Sequence, residues 1–151
     1  MLTFSYRNRI AFYYIITTAL LFSVVFAVIY ISVKESAYRH IENDIALEKI
    51  KLFEEISITK DGFILIDQNE WKEKEHNTLD VNPIFIQFTD ADGKMFDKSP
   101  NLKNAQLFFH KKQDSKSLFF SAKLDKISIR LSQIEVTYKE KVVGYIILAM
   151  A

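Results

Sequence analysis

The chain has no cysteine, only two prolines and three glycines in 151 residues, and no charged residue anywhere from Ile10 to Val33. Each scarcity excludes something. Without cysteine there is no disulfide, no thiolate metal ligand and no sulfur nucleophile; this suits an oxidising bacterial compartment without requiring one. So little glycine and proline argues against a loop-rich or disordered chain. No segment is of low complexity and none repeats. An excess of one charge is missing too. All 19 acidic residues and 18 of the 20 basic residues follow Val33, so that part carries 18 − 19 = −1. A near-neutral domain has no electrostatic footprint for nucleic acid.

What the chain does have is the uncharged run itself. It spans 24 residues, fourteen of them Leu, Ile, Val or Phe. As a helix it reaches roughly 36 Å at about 1.5 Å per residue, enough to cross a hydrocarbon core of about 30 Å. Thr17, Thr18, Ser23 and Ser32 cost little there, because their hydroxyls can bond back to helix carbonyls. Phe12, Tyr13 and Tyr14 at one end and Tyr30 at the other suit the two interfacial belts. A cleaved signal peptide has a shorter apolar region and a small-residue cleavage site. Val33-Lys34-Glu35-Ser36-Ala37 offers no such site. A buried core helix is excluded on size, since the rest of the chain is too small to wrap one. Arg7 and Arg9 precede the run without an acid, whereas Lys34 and Arg39 are mixed with Glu35, Glu42 and Asp44. That bias predicts a cytoplasmic stub (1–9), a transmembrane helix (10–33) and an extracytoplasmic domain (34–151), with membrane lipid as the first partner.

Residues 34 to about 57 read as a helix that continues from the span. Tyr38, Ile41, Ile45, Leu52 and Ile56 share one face, and Ile50 and Phe53 widen it. Glu35 and Arg39 form an i,i+4 pair in the favourable order. The stripe can pack on its own domain or pair with a second copy as a parallel dimer. After the Asp61-Gly62 turn signal, Phe63–Ile66 is a short strand. Glu70–His76 is a charged surface segment around Trp71. Ile84–Thr89 is the clearest strand. Asp90-Ala91-Asp92-Gly93 is a tight turn, with Gly93 free to take positive φ, and Lys94–Asp97 returns antiparallel. Residues 102–117 read as a loop or short helix, and Leu118–Ala122 as a strand. Lys126–Tyr138 alternates with a phase change at Gln133, which predicts a bulge or bend. Lys139-Glu140-Lys141 turns the chain into Val142–Met150, a strand apolar on both faces and therefore central. The fold class is α+β: one transmembrane helix continuing into a long helix, then an antiparallel sheet of about five strands. An apolar strand that stops at Ala151 with no polar tail predicts an N-terminal piece of a longer protein.

Three segments resemble the N-terminal part of bacterial two-component sensor histidine kinases. Arg7-Asn8-Arg9-Ile10-Ala11 looks like their short cytoplasmic start. Phe85-Ile86-Gln87-Phe88-Thr89-Asp90-Ala91-Asp92-Gly93-Lys94 is similar to the strand–turn–strand of PAS-like periplasmic sensor domains. Lys141 to Met150 looks like the closing strand that leads into a second membrane helix. The resemblance implies a PAS-like sheet, a homodimer in the inner membrane, and a response regulator reached only through a kinase core. It also implies a HAMP linker after a second span. The chain departs from the family in having no second span, HAMP segment, phosphoacceptor helix or Gly-rich ATP lid. It is therefore expected to have no enzymatic activity of its own.

No motif points to catalysis, a metal or a cofactor. His40, His76 and His110 lack the Glu-x-x-x-Pro context of a phosphoacceptor and have no metal-ligand spacing, so they read as surface histidines. Asp90-x-Asp92-Gly93 fails as a calcium loop. With Gly93 at the sixth position, Phe88 and Ser99 would fall where carboxylates belong. Glu70, Glu73 and Glu75 with Lys72 and Lys74 read as a solvated face. No G-x-S-x-G elbow occurs. Trp71, Phe85, Phe108, Phe109, Phe119 and Phe120 are expected in the core. Two functions fit: a sensor-kinase input region that passes an extracytoplasmic stimulus across the membrane, or a non-catalytic single-pass envelope protein whose domain binds a protein partner.

Overall fold

The computed structural model describes residues 6–65, 69, 74–79, 83–110 and 119–151. The chain divides into two units, Met1–Arg39 and His40–Ala151, and helix α1 (Tyr6–Glu55) contributes residues to both.

In the first unit the described residues are helical throughout, and no apolar side chain from Ile10 to Val33 is buried. This helix is long and apolar enough to cross a membrane. Its hydroxyls turn back on the backbone as their chemistry dictates: Thr17 Oγ1 donates to Tyr13 O at 3.0 Å and Ser23 Oγ to Ala19 O at 2.9 Å.

The second unit is α+β. A five-stranded antiparallel sheet has the order β4 (Met95–Lys98), β3 (Ile84–Asp90), β7 (Lys141–Met150), β6 (Ile127–Tyr138), β5 (Phe120–Leu124). A separate hairpin joins β1 (Ile56–Thr59) and β2 (Gly62–Leu65), and a short helix α2 covers Lys74–Asn77. As its double-sided apolarity requires, β7 is the central strand, paired with β3 along Ile84–Asp90 and with β6 along Arg130–Tyr138.

Both faces of the sheet are covered. On one face Ile84, Ile86, Phe88, Ile134, Val136, Ile146 and Leu148 pack with Ile45 and Leu52 of α1 and with Ile56 and Phe63 of the hairpin. On the other, Phe85, Ile129, Leu131, Ile147 and Ala149 pack under Leu102 and Leu107. An ion pair fastens α1 to the sheet: Arg130 Nε donates to Glu42 Oε1 at 2.9 Å while Arg130 Nη1 reaches Ser121 Oγ at 2.8 Å.

Several expectations change. The helix ends at Glu55, and Ile56 opens a strand, because Ile-Ser-Ile-Thr pairs with Gly62–Leu65 across a two-residue turn. Ile50 is 60% exposed and does not join the packed face. The phase change in β6 is not a bulge: register with β7 runs unbroken from Arg130 to Val136, past Gln133. The apolar side chains instead change face, Ile127, Ile129 and Leu131 pointing to one cover and Ile134 and Val136 to the other. The irregularity falls later, between Val136 and Thr137. The fourth strand runs Met95–Lys98 and the fifth Phe120–Leu124. Ile66, Leu118, Trp71 and the side chains of Glu70, Lys72, Glu73, Lys74 and Glu75 lie outside the described residues.

Candidate functional site

The sheet face away from α1 is crossed by a strap without regular structure. Pro100–Leu102 forms one turn of 3-10 helix, and the chain from Lys103 to His110 then lies over the strands. Ser99 and Asn101 start it. Ser99 Oγ accepts from Ile86 N at 3.0 Å and donates to Asn101 Oδ1 at 2.7 Å, and Asn101 Nδ2 donates to Ile84 O at 2.8 Å. The hydroxyl and carboxamide thus replace strand partners along the β3 edge. Lys98 Nζ then donates to Ala105 O at 3.0 Å.

Two glutamines hold the rest. Leu107 N donates to Gln87 Oε1 at 2.7 Å and Gln87 Nε2 donates to Leu107 O at 3.3 Å. His110 N donates to Gln133 Oε1 at 2.9 Å and Gln133 Nε2 donates to His110 O at 3.0 Å. Each carboxamide presents one donor and one acceptor, as a neighbouring strand would. Their spacing follows from register. Gln87 and Gln133 both lie opposite Ile147, one on each side of β7. Two strand spacings of about 4.8 Å separate them by roughly 9.6 Å, and three extended residues cover about 10 Å. The strap therefore crosses the strands with Leu107 and His110 in reach of the two clamps.

Aromatic contacts finish the strap. The Phe109 ring meets Tyr145 edge-on at 5.1 Å, and the His110 ring stacks on Phe120 at 4.8 Å. Gly93 takes φ +87 in the β3–β4 turn, and a Cβ there would strike the Phe109 ring, with Cζ at 2.9 Å. Burial first and the Glu135 carboxylate second hold the Tyr145 phenol above its usual value of 10.0.

Two clefts border the strap. One, of about 480 Å³, is lined by Gln87, Gln106, Phe108, Lys123 and Ile129 among others. The second, of about 440 Å³, lies by Leu79, Asn104, Leu124 and Asp125. Both are of ligand size and mix apolar walls with a few polar groups.

The sequence candidates are scattered rather than gathered. His40 lies exposed on α1, where its Nε2 is 3.6 Å from Asp44. His110 is part of the strap. His76 is not a surface histidine: it is fully buried on α2 with Nε2 3.2 Å from Glu48 Oε1, a partner 28 residues away. Among the described residues no group of three His, Cys, Asp or Glu side chains could hold a metal ion. Asp90 and Asp92 build a turn, Asp90 Oδ1 accepting from Asp92 N at 3.0 Å and Lys94 N at 2.8 Å. Phe85 is buried and Phe109, Phe119 and Phe120 are half-buried, but Phe108 is 62% exposed because the strap turns it outward at the cleft. Sequence reading missed Gln87 and Gln133, whose one signal is an amide at a strand position flanked by buried neighbours. No protein-family model, curated protein or solved structure matches the chain.

Proposed function

We propose that the chain is the membrane-anchored signal-input region of a two-component sensor histidine kinase, with its α+β domain PAS-like and outside the cytoplasm. The observation that carries this reading is the uncovered apolar run from Ile10 to Val33 in a chain whose remaining residues build a self-contained domain. Leaving fourteen large aliphatic and phenylalanine side chains in water is costly at about 1.5–3 kcal/mol each, and a bilayer removes that cost. The strap and its clefts give the domain a surface on which a stimulus can act. Arg7 and Arg9 keep the N-terminus in the cytoplasm. A homodimer in the inner membrane completes the reading, and the chain itself transmits rather than catalyses.

The natural absence of cysteine makes the test clean. Asn8→Cys and Ser36→Cys variants are treated in intact cells with a membrane-impermeant maleimide. Labelling of the second alone supports the reading; labelling of the first alone inverts the topology and defeats it. The kinase assignment is tested by the reading frame beyond codon 151. An apolar run of about 20 residues supports it. A stop codon removes it in favour of a single-pass envelope protein that binds a protein partner.

A further inference from the structure

A third cleft lies on the opposite, α1-covered face, between the β1–β2 hairpin and one end of the sheet. It measures about 310 Å³, and its lining includes Asp61, Phe63, Ile64, Asp90, Phe96 and Val143. Two register shifts shape it. Phe88 pairs with Asp97 but Thr89 with Met95, so Phe96 is an extra residue on β4. Val136 pairs with Gly144 but Thr137 with Val142, so Val143 is an extra residue on β7. Bulges re-aim side chains and collect near functional sites. Here two independent bulges, on strands that are not neighbours, turn Phe96 and Val143 into the same cleft.

The walls are aromatic. Phe63 and Phe96 meet at 5.3 Å with their planes 71° apart, forming a corner, and Phe88 closes behind them 5.4 Å from Phe63. Phe96 is nevertheless 50% exposed, an uncovered ring at the mouth. Gly144 makes room for the corner, because a Cβ there would lie 2.7 Å from Phe63 Cε1. The charge in the lining is of one sign: Asp61 and Asp90 are carboxylates, and among the described residues no lysine, arginine or histidine joins them. Asp90 uses Oδ1 for the β3–β4 turn, and Asp61 stands exposed in the β1–β2 turn.

Aromatic rings beside carboxylates recognise one class of ligand well. A quaternary or alkylated ammonium ion has a diffuse positive charge that ring faces attract, and an apolar shell that an apolar wall accepts. A neutral apolar ligand would leave the carboxylates without a role, and an anion would be repelled. We propose that this cleft is a binding site for a small organic ammonium ion, Phe63 and Phe96 supplying the aromatic walls and Asp61 and Asp90 the counter-charge. Binding here is independent of whether the chain signals to a kinase.

The test uses the full chain in maltoside micelles, with choline and its uncharged isostere 3,3-dimethylbutan-1-ol as probes and saturation-transfer NMR as readout. Choline is expected to bind at least about fivefold more tightly than the isostere, the cation–π contribution expected at a half-exposed ring. Phe96→Leu keeps the apolar wall but removes the ring, and Asp61→Asn keeps the shape but removes the charge. Each is expected to weaken choline about fivefold and to leave the isostere unchanged. Both positions are exposed, so the fold survives, and circular dichroism checks it. Equal affinity for the two probes, choline binding that survives both substitutions, or no choline binding would each overturn the proposal.

Discussion

Replacing Gln87 with leucine should cost the domain about 3 kcal/mol, and replacing Gln133 with leucine only about 1 kcal/mol. Both side chains make the same pair of bonds to the strap, so a count of hydrogen bonds gives equal losses. The difference lies in what each substitution leaves behind. Leu107 is buried, and without Gln87 its N–H and C=O have no partner and no water. Each orphaned group costs about 1–3 kcal/mol, against which the removal of a buried amide and the added apolar contact return about 1–2 kcal/mol. His110 is only half-buried, so water can take over its two backbone groups when Gln133 goes. The double variant should cost about 1 kcal/mol less than the sum, because once one clamp opens the strap no longer positions the other. Urea denaturation of the full chain in micelles gives the three values. Hydrogen exchange at Leu107 and His110 shows that the strap is what moves. Equal costs, or a larger cost at Gln133, would refute the clamp argument, and so would strict additivity.

Two further perturbations test local conformation and charge. Lys139 and Glu140 both have positive φ, 49° and 68°, in the two-residue β6–β7 turn, where side chains carry a steric penalty that Asn-Gly avoids. Lys139→Asn with Glu140→Gly should therefore raise the unfolding free energy by about 1 kcal/mol by urea titration, even after losing the Lys139–Tyr138 ring contact. At Tyr145 the raised phenol pKa means that the folded state holds the proton more tightly than the unfolded one. Its contribution to stability is full below pH 10 and falls as pH rises through the folded value. Tyr145→Phe should flatten that alkaline decline, and Glu135→Gln should shrink it by bringing the folded value down toward 10.0 while the onset stays put. An unchanged profile in Tyr145→Phe between pH 9 and pH 12, followed by urea midpoints, would remove Tyr145 from the account.

The elements legible in sequence are those whose signal is local. The uncharged run, the β3 alternation, the Asp90–Gly93 turn and the doubly apolar β7 each announce themselves within about ten residues. What sequence hid depends on partners far along the chain. Ile56 continues the helical spacing from Leu52, and only pairing with β2 reveals it as a strand. Asp125 takes φ 52 in the two-residue β5–β6 turn without a neighbouring glycine to signal it. His76 is buried by virtue of Glu48. The bulged cleft was not legible either, since Phe96 and Val143 meet only because β4 and β7 each carry one residue more than their partners.

The two glutamines illustrate why polar residues in strands mislead. A half-buried strand alternates apolar and polar residues, and by that rule a glutamine in a strand belongs on the wet face. That rule assumes one wet face, and this sheet has none at its centre. The face change in β6 follows from the same fact. Ile127 to Leu131 lie under the strap and Ile134 to Val136 under α1 and the hairpin, so the two covers are offset along the strand. A helix can cover a sheet because its backbone is already satisfied, whereas a strap brings unpaired N–H and C=O groups onto an apolar surface. Such a cover is stable only if the sheet supplies partners from its own side chains, and carboxamides do this without charge. Gln87 and Gln133 are thus a requirement of the irregular cover rather than an exception to the core. The helix-covered face, which has no such need, buries no glutamine from β3, β6 or β7.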